Sequence, residues 1–128
     1  MLDSRLYILM RTDLASMNPG KGMAQAAHAS NAFVHDWDGD EFVEGWQKQT
    51  PQGFGTTITL AVPSESALID MVAIADALGY PAALVHDPSY PVRDGDVTHL
   101  LPIDTCGYVF VRDARIQPPG MSILPLHP

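Results

Sequence analysis

The chain has 128 residues, of which 46% are hydrophobic and 17% charged, a balance that fits one folded domain and excludes a disordered chain. Its net charge of −8 disfavours loose association with nucleic acid or with an anionic membrane, although a few cations focused in one cleft would still accommodate a nucleic-acid substrate. Cys106 is the only cysteine, so an intrachain disulfide is excluded. No apolar run approaches the roughly 18 residues of a membrane span, and residues 1–11 are too polar for a signal peptide. We therefore expect a soluble, cytoplasmic protein that does not associate with membranes.

The first part of the chain predicts a strand, a loop and two helices. Residues 5–10 form an unbroken apolar run, which is typical of a strand buried on both faces of a sheet. Asn18–Gly22 contains Pro19 and two glycines and is predicted to be a loop. The Ala-rich segment from Met23 to about His35 predicts a helix, and the segment 36–46 predicts a shorter one.

The second part predicts strands around one further helix. Thr56–Val62 alternates threonine with apolar residues, which indicates a strand. Ser64 suits the N-cap of a helix that ends just before Gly79. The remaining segments predict a buried strand, a loop and two short strands, at Ala82–His86, Asp87–Asp96, Val97–Leu101 and Tyr108–Val111.

This order of elements predicts an α/β fold. Strand–helix–strand units require crossover connections, so we expect a mixed sheet of four or five strands with helices on its faces. Residues 1–116 are predicted to form this single domain. Residues 117–128 contain four prolines and are predicted to be an extended tail that wraps the domain or reaches a partner.

Several polar residues follow predicted strands, where α/β sheets form their sites. They are Arg11–Asp13 after the first strand, Asp87 after the third, and the segment before Thr98. Lys21, between two glycines at a helix start, combines a point charge with free backbone N–H groups, which suits an anion or a developing oxyanion. Asp87 suits the orientation or deprotonation of a water molecule. The Gly-Lys-Gly sequence lacks the rest of a phosphate-binding P-loop pattern.

Separated sequence blocks carry a resemblance that extends from about Leu6 to Val111. The blocks around Lys21 are Arg11-Thr12-Asp13-Leu14, Gly20-Lys21-Gly22, Ala24-Gln25 and His28-Ala29. The later blocks are Ala77-Leu78-Gly79-Tyr80, Leu84-Val85-His86-Asp87, Thr98-His99-Leu100-Leu101-Pro102-Ile103 and Cys106-Gly107-Tyr108-Val109-Phe110-Val111. In order and spacing these blocks resemble the type II peptidyl-tRNA hydrolases, the archaeal and eukaryotic type.

The resemblance implies a fold and a chemistry. The fold is that of the type II peptidyl-tRNA hydrolases, and the reaction is hydrolysis of the ester that joins a peptide to the 3′ ribose of tRNA. Residue by residue, Lys21, Asp87 and Thr98 match the family's catalytic positions: Asp87 would position water, Lys21 would stabilise negative charge and Thr98 would hold the geometry. The candidates for contact with the substrate are Arg11, Asp13, Gly20, Gly22, Gln25, His28 and Arg93. The implied partner is peptidyl-tRNA, no metal or cofactor is implied, and a homodimer is left open.

The sequence also departs from the family, so a second hypothesis stays open. The family has a further Thr soon after the Asp, whereas Asp87 is followed by Pro88-Ser89-Tyr90-Pro91. The segment 102–107 is too short for the helix that the family places between its last two strands. A tRNA-binding protein is expected to be basic, and this chain is acidic. The alternative is a non-catalytic binding module that keeps the hydrolase fold, and convergence of Arg11, Lys21 and Arg93 on one positive cleft would favour the enzyme.

Other patterns have simpler interpretations. Asp36-x-Asp38-x-Asp40 is not a calcium loop, because Glu41 stands where the sharp turn needs glycine. No set of His, Cys or carboxylate residues has the spacing of a zinc site. Cys106, without cationic neighbours in sequence, is predicted to be unreactive.

Overall fold

The molecule is organised around one four-stranded sheet. The computed structural model describes residues 2–128. Within that range it contains four strands, three α-helices and a short 3₁₀ turn at Met121–Ile123. The elements follow in the order β1 (Arg5–Arg11), α1 (Pro19–Asp36), α2 (Glu41–Lys48), β2 (Thr57–Val62), α3 (Glu65–Ala77), β3 (Ala82–Asp94) and β4 (Val97–Val111).

The strand order in the sheet is β2-β1-β4-β3. β1 pairs parallel with β2 and antiparallel with β4, and β4 pairs antiparallel with β3. The sheet is therefore mixed and the fold is α/β, as predicted, with four strands. Because β1 is central and covered on both faces, its whole run from Leu6 to Met10 is buried, which explains the absence of alternation in its sequence.

Helices cover the two faces of the sheet. On one face, α1 and α2 pack Phe33 and Trp46 against Tyr108 and Phe110, with the ring centroids of Phe33 and Phe110 4.9 Å apart. On the other face, α3 packs apolar side chains such as Leu68 against the opposite side of β1 and β4. The two cores hold the strands in place and leave the carboxyl end of β1 free to carry polar residues.

The prediction of a loop at Asn18–Gly22 was wrong, because this segment is the cap and first turn of α1. The side chain of Asn18 accepts a hydrogen bond from the backbone N–H of Lys21 at 2.9 Å, and Pro19 occupies the first turn. Proline fits there because the first N–H groups of a helix have no partner within the helix. Lys21 therefore lies on the helix and not in a flexible loop.

The predicted loop Asp87–Asp96 was also wrong, and so was the division of the following segment into two strands. β3 continues to Asp94 and β4 is continuous from Val97 to Val111. Asp87–Asp94 and Val97–Ile103 pair as a two-stranded ribbon that extends beyond the last pair of β4 with β1, Met10 with Cys106. Proline is tolerated in this part of β3 because β3 is an edge strand.

The C-terminal segment lies along the free edge of β2. Leu126 forms an isolated antiparallel bridge with Leu60, and the backbone N–H of His127 donates to the carbonyl of Thr59 at 2.9 Å. Met121 is buried in the α3-side core. Among the described residues, no helix combines the length and the hydropathy that a membrane span needs.

Candidate active site

Asp87 is held at the point where β3 leaves the sheet. Its Oδ1 accepts a hydrogen bond from the backbone N–H of Ser89 at 2.9 Å, and its Oδ2 accepts a longer one from Nε2 of Gln25 at 3.4 Å. The bond to Ser89 is a local turn contact that fixes the carboxylate near its own backbone. Gln25 lies on α1, so the carboxylate is held between a strand and a helix.

Thr105 completes a chain of hydrogen bonds to this carboxylate. Its hydroxyl donates to Oε1 of Gln25 at 2.8 Å, and the Thr105 side chain is fully buried. Since Oε1 faces the hydroxyl, Nε2 of the same amide is directed toward Asp87. Thr105 thus sets the orientation of the amide that donates to Asp87.

A β-bulge aims Thr105 at α1. Val85 pairs with Cys106 and His86 pairs with Asp104, so Thr105 is the extra residue of β4 between two consecutive pairs. Bulges redirect side chains, and here the side chains of Thr105 and Cys106 both face α1. In a regular strand two neighbouring side chains would point to opposite faces of the sheet. Burial raises the pKa of the Cys106 thiol to about 11, so the thiol is protonated at neutral pH and is not a nucleophile.

Lys21 lies one helical turn before Gln25, on the same side of α1. Its Nζ is 5.2 Å from the centre of the Tyr90 ring, at the geometry of a cation–π contact. Tyr90 is buried, and its hydroxyl is 2.9 Å from Oγ of Ser16. Because Tyr90 and Asp87 are both on β3, the cation and the carboxylate line neighbouring parts of one strand.

An open cleft of about 400 Å³ adjoins Asp87. His28 lies on its helix side and His86 on its strand side, and both are exposed. The size is in the range of small-molecule sites. The cleft is lined by Gln25, His28, Ala32, Leu84, Val85, His86, Asp87 and Pro88.

Arg11 does not point into this cleft but forms ion pairs on the opposite face of the sheet. Its guanidinium donates to both carboxylate oxygens of Asp13, at 2.9 and 2.8 Å, and to Oε2 of Glu65 at 3.2 Å. It also donates to the carbonyl of Asp104 at 3.0 Å. The hydrogen bonds from Arg11 hold the pKa of Asp13 below its usual value, and the same bonds raise the pKa of Arg11. The convergence of Arg11, Lys21 and Arg93 on one positive cleft, which would favour the enzyme, is therefore not observed, because the Arg11 donors are bound to Asp13, Glu65 and the carbonyl of Asp104.

The structure does not bring Thr98 to Asp87. Thr98 pairs with Arg93 near the tip of the ribbon, whereas Asp87 pairs with Ile103. Five residues of strand separate these positions, which corresponds to roughly 16 Å. Thr98 and Arg93 are both exposed. The prediction that places Thr98 beside Asp87 therefore fails, because the continuous ribbon carries it away.

The two glycines beside Lys21 lie in the first turn of α1, and both positions have room for a larger side chain. A Cβ at Gly22 would meet nothing within 4 Å, and one at Gly20 would make only an ordinary contact with the side chain of Asn18. Their contact with a substrate stays a prediction.

Thr105, Tyr90 and Glu65 were not predicted from the sequence. The polar residue directly before the apolar run Cys106–Val111 was a signal for Thr105, since a buried threonine needs a hydrogen-bond partner. The chain offered no comparable signal for Tyr90, because its segment was assigned to a loop.

The fold defines a class of small α/β proteins with a mixed four-stranded sheet. The sequence model of the family described as peptidyl-tRNA hydrolase PTH2 matches residues 4–101, which include Lys21 and Asp87 but not Thr105. The chain belongs to the peptidyl-tRNA hydrolase PTH2 family, which confirms the resemblance seen in the sequence blocks. No curated protein matches the chain.

Proposed function

We propose that this protein is a cytoplasmic peptidyl-tRNA hydrolase, which cleaves the ester between a peptide and the 3′ ribose of tRNA. The observation that carries the proposal is the chain Thr105–Gln25–Asp87 with Lys21 one helical turn away. It provides a carboxylate of fixed orientation in the cleft and a cation on α1 one helical turn before the Gln25 donor. Family membership supports the same chemistry.

Asp87 is the general base of the proposed reaction. It holds a water molecule on a free lone pair and accepts a proton as the water oxygen attacks the ester carbonyl carbon. Lys21 stabilises the negative charge that develops on the carbonyl oxygen. The ester bond to the 3′ oxygen then breaks, and the proton passes from Asp87 to that oxygen, which leaves as a hydroxyl.

Gln25 and Thr105 are positioning residues in this scheme. The amide of Gln25 donates to Oδ2 of Asp87. Oδ1 of Asp87 then remains for the backbone N–H of Ser89 and for the attacking water. Thr105 stops the amide from turning its oxygen toward the carboxylate, an arrangement that would place two acceptors in contact.

The test is release of an N-acetylaminoacyl group from tRNA by the purified protein. Asp87→Asn keeps the shape but removes the base, and we expect a loss of about 10²–10⁴-fold in kcat. Lys21→Ala should also lower kcat. Lys48→Ala is the matched control, because Lys48 is an exposed lysine at the end of α2 and should keep wild-type activity. Equal rates for all four proteins would refute the assignment.

The alternative is a binding module that uses the same fold without catalysis. Exposed apolar side chains on the ribbon favour it, with Val97 and Leu100 more than half exposed. Absence of release by the wild-type protein, with the fold intact by circular dichroism, would support this alternative.

A further inference from the structure

We propose that Tyr90 is a positioning residue for Lys21: its ring holds the ammonium group in place and leaves the N–H donors of that group available for the reaction. The inference rests on the proposed function and extends its machinery to a residue that acts through another. Nζ of Lys21 lies 5.2 Å from the centre of the Tyr90 ring. A cation at this distance is attracted by the negative charge of the ring face.

A bulge in β3 brings Tyr90 to the face of the ribbon that carries Asp87. Asp87 pairs with Ile103 and Tyr90 pairs with Leu101, so three steps along β3 correspond to two steps along β4. Because Ile103 and Leu101 are two residues apart, they face the same side, and their partners share that side. In a regular strand, residues three apart would face opposite sides. The bulge therefore presents Asp87 and Tyr90 together to α1.

The helix meets these two residues with two side chains one turn apart. The amide of Gln25 donates to Asp87, and the ammonium of Lys21 lies at the ring of Tyr90. In each contact a neutral side chain holds a charged one. Both charges are thereby given a position without being neutralised, which is the condition for a base and a cation that act on a substrate.

The Tyr90 ring is itself fixed in place, as a positioning residue must be. The residue is 1% exposed, and its hydroxyl is 2.9 Å from Oγ of Ser16, in the segment that precedes α1. Lysine, in contrast, carries its charge on a flexible four-carbon chain. A buried ring of fixed orientation therefore restricts the positions that the Lys21 ammonium can take.

The partner of the ammonium is a ring and not a carboxylate. Among residues 2–128, the carboxylates that form ion pairs do so with arginine or histidine, and none pairs with Lys21. A carboxylate would compete with the developing oxyanion for the N–H donors of Lys21, whereas the ring attracts the cation without neutralising it. Since the oxyanion charge develops only during the reaction, loss of the ring should lower kcat and leave KM almost unchanged.

The first experiment detects the contact without catalysis. The chain has two lysines, Lys21 and the exposed Lys48, so labelling with [¹³C]lysine gives two side-chain spectra, which Lys48→Arg tells apart. The ring current of Tyr90 should shift the Hε resonances of Lys21. The shift should persist in Tyr90→Phe and disappear in Tyr90→Leu. A Lys21 spectrum that is the same in Tyr90→Leu as in the wild-type protein would overturn the inference.

The second experiment measures kcat for release of the N-acetylaminoacyl group from tRNA. Tyr90→Phe keeps the ring and should keep most of the activity. Phenylalanine with one, two or three ring fluorines at this position weakens the attraction for a cation stepwise with little change in size. We expect kcat to fall stepwise by about two- to fivefold over this series, at unchanged KM. A purely structural role would leave the series level, so equal kcat values throughout would overturn the inference.

Two controls separate the ring from the fold. Tyr80→Leu removes a partly buried tyrosine that precedes the other end of β3 and should keep wild-type kcat. Tyr90→Leu should lower kcat about two- to tenfold in the wild-type protein and have no further effect in Lys21→Ala. An equal loss in both backgrounds would refute action through Lys21. Absence of release by the wild-type protein would instead refute the proposed function and the role of Tyr90 in it, even where the lysine spectra show the contact.

Discussion

The hydroxyl of Thr105 on β4 donates to the amide oxygen of Gln25 on α1 at 2.8 Å, across eighty residues of sequence. This bond joins α1, which forms one side of the cleft, to β4, which pairs with the β3 strand on the other side. It also determines which end of the Gln25 amide meets Asp87. The proposed site is therefore built from a helix and two strands, and each contributes one member of the polar chain.

Loss of the Thr105 hydroxyl should lower activity more than stability. Thr105→Val keeps the side-chain shape but leaves Oε1 of Gln25 buried without its donor, so the amide no longer has a preferred orientation. We expect a fall of about 10–100-fold in kcat with little change in KM, because misplacement of a catalytic group by a fraction of an ångström has effects of this size. Steady-state kinetics of release of the N-acetylaminoacyl group from tRNA measures it.

Two further variants are the controls for this prediction. Thr105→Ser retains the hydroxyl and should restore most of the activity. Thr98→Ala should behave as wild type, since Thr98 is exposed on the ribbon. A larger loss for Thr98→Ala than for Thr105→Val would contradict the structure-based assignment.

Glu65 should support the bulge that aims Thr105. Its Oε2 accepts from the backbone N–H of Asp104 at 3.1 Å, while Arg11 donates to the carbonyl of the same residue. Glu65→Ala removes the acceptor and should lower the free energy of unfolding by about 1 kcal/mol, together with kcat. Glu65→Gln keeps an acceptor for the backbone and should retain more of both. Urea unfolding and ester hydrolysis are the measurements, and equal losses for Ala and Gln would argue against a role for the backbone contact.

Tyr108 should limit stability in alkali. Burial, and then the hydrogen bond to Asp36, raise its pKa to about 12 from the usual 10. Because the folded state disfavours the phenolate, the stability from this group is complete below pH 10 and is lost as the pH rises from 10 to 12. Tyr108→Phe should show a smaller fall in melting temperature across that interval. Absorbance near 295 nm should show one tyrosine fewer ionising near pH 12, and an unchanged alkaline titration would contradict the assignment.

Replacement of Gly107, where β4 packs against α3, should lower the free energy of unfolding. A Cβ there would lie 2.9 Å from the carbonyl oxygen of Ala83 and 3.0 Å from Cγ2 of Val72. Gly107→Ala should therefore cost about 1–3 kcal/mol of unfolding free energy. Gly45→Ala is the control, because a Cβ on that residue of α2 meets nothing within 4 Å and alanine favours helix by about 0.5–1 kcal/mol. Urea unfolding that shows no difference between the two variants would contradict the packing.

Much of the fold was predictable because its signals are local. The apolar run of β1 predicted a strand buried on both faces, and Ser64 and Gly79 correctly bracketed α3. The long ribbon was not predictable in the same way, because prolines in an edge strand have the same local sequence as prolines in a loop. The misplacement of Thr98 followed from that error.

The sequence by itself determined the α/β class, the family resemblance and the positions of Lys21 and Asp87 near strand and helix ends, because strand pattern, helix composition and motif spacing are all properties of short segments. Only the tertiary structure decided that Thr105 reaches Gln25 and that Arg11 is bound by Glu65. Both contacts depend on the register between strands far apart in the chain. A shift of one residue in that register turns a side chain to the other face of the sheet, and no local pattern records it.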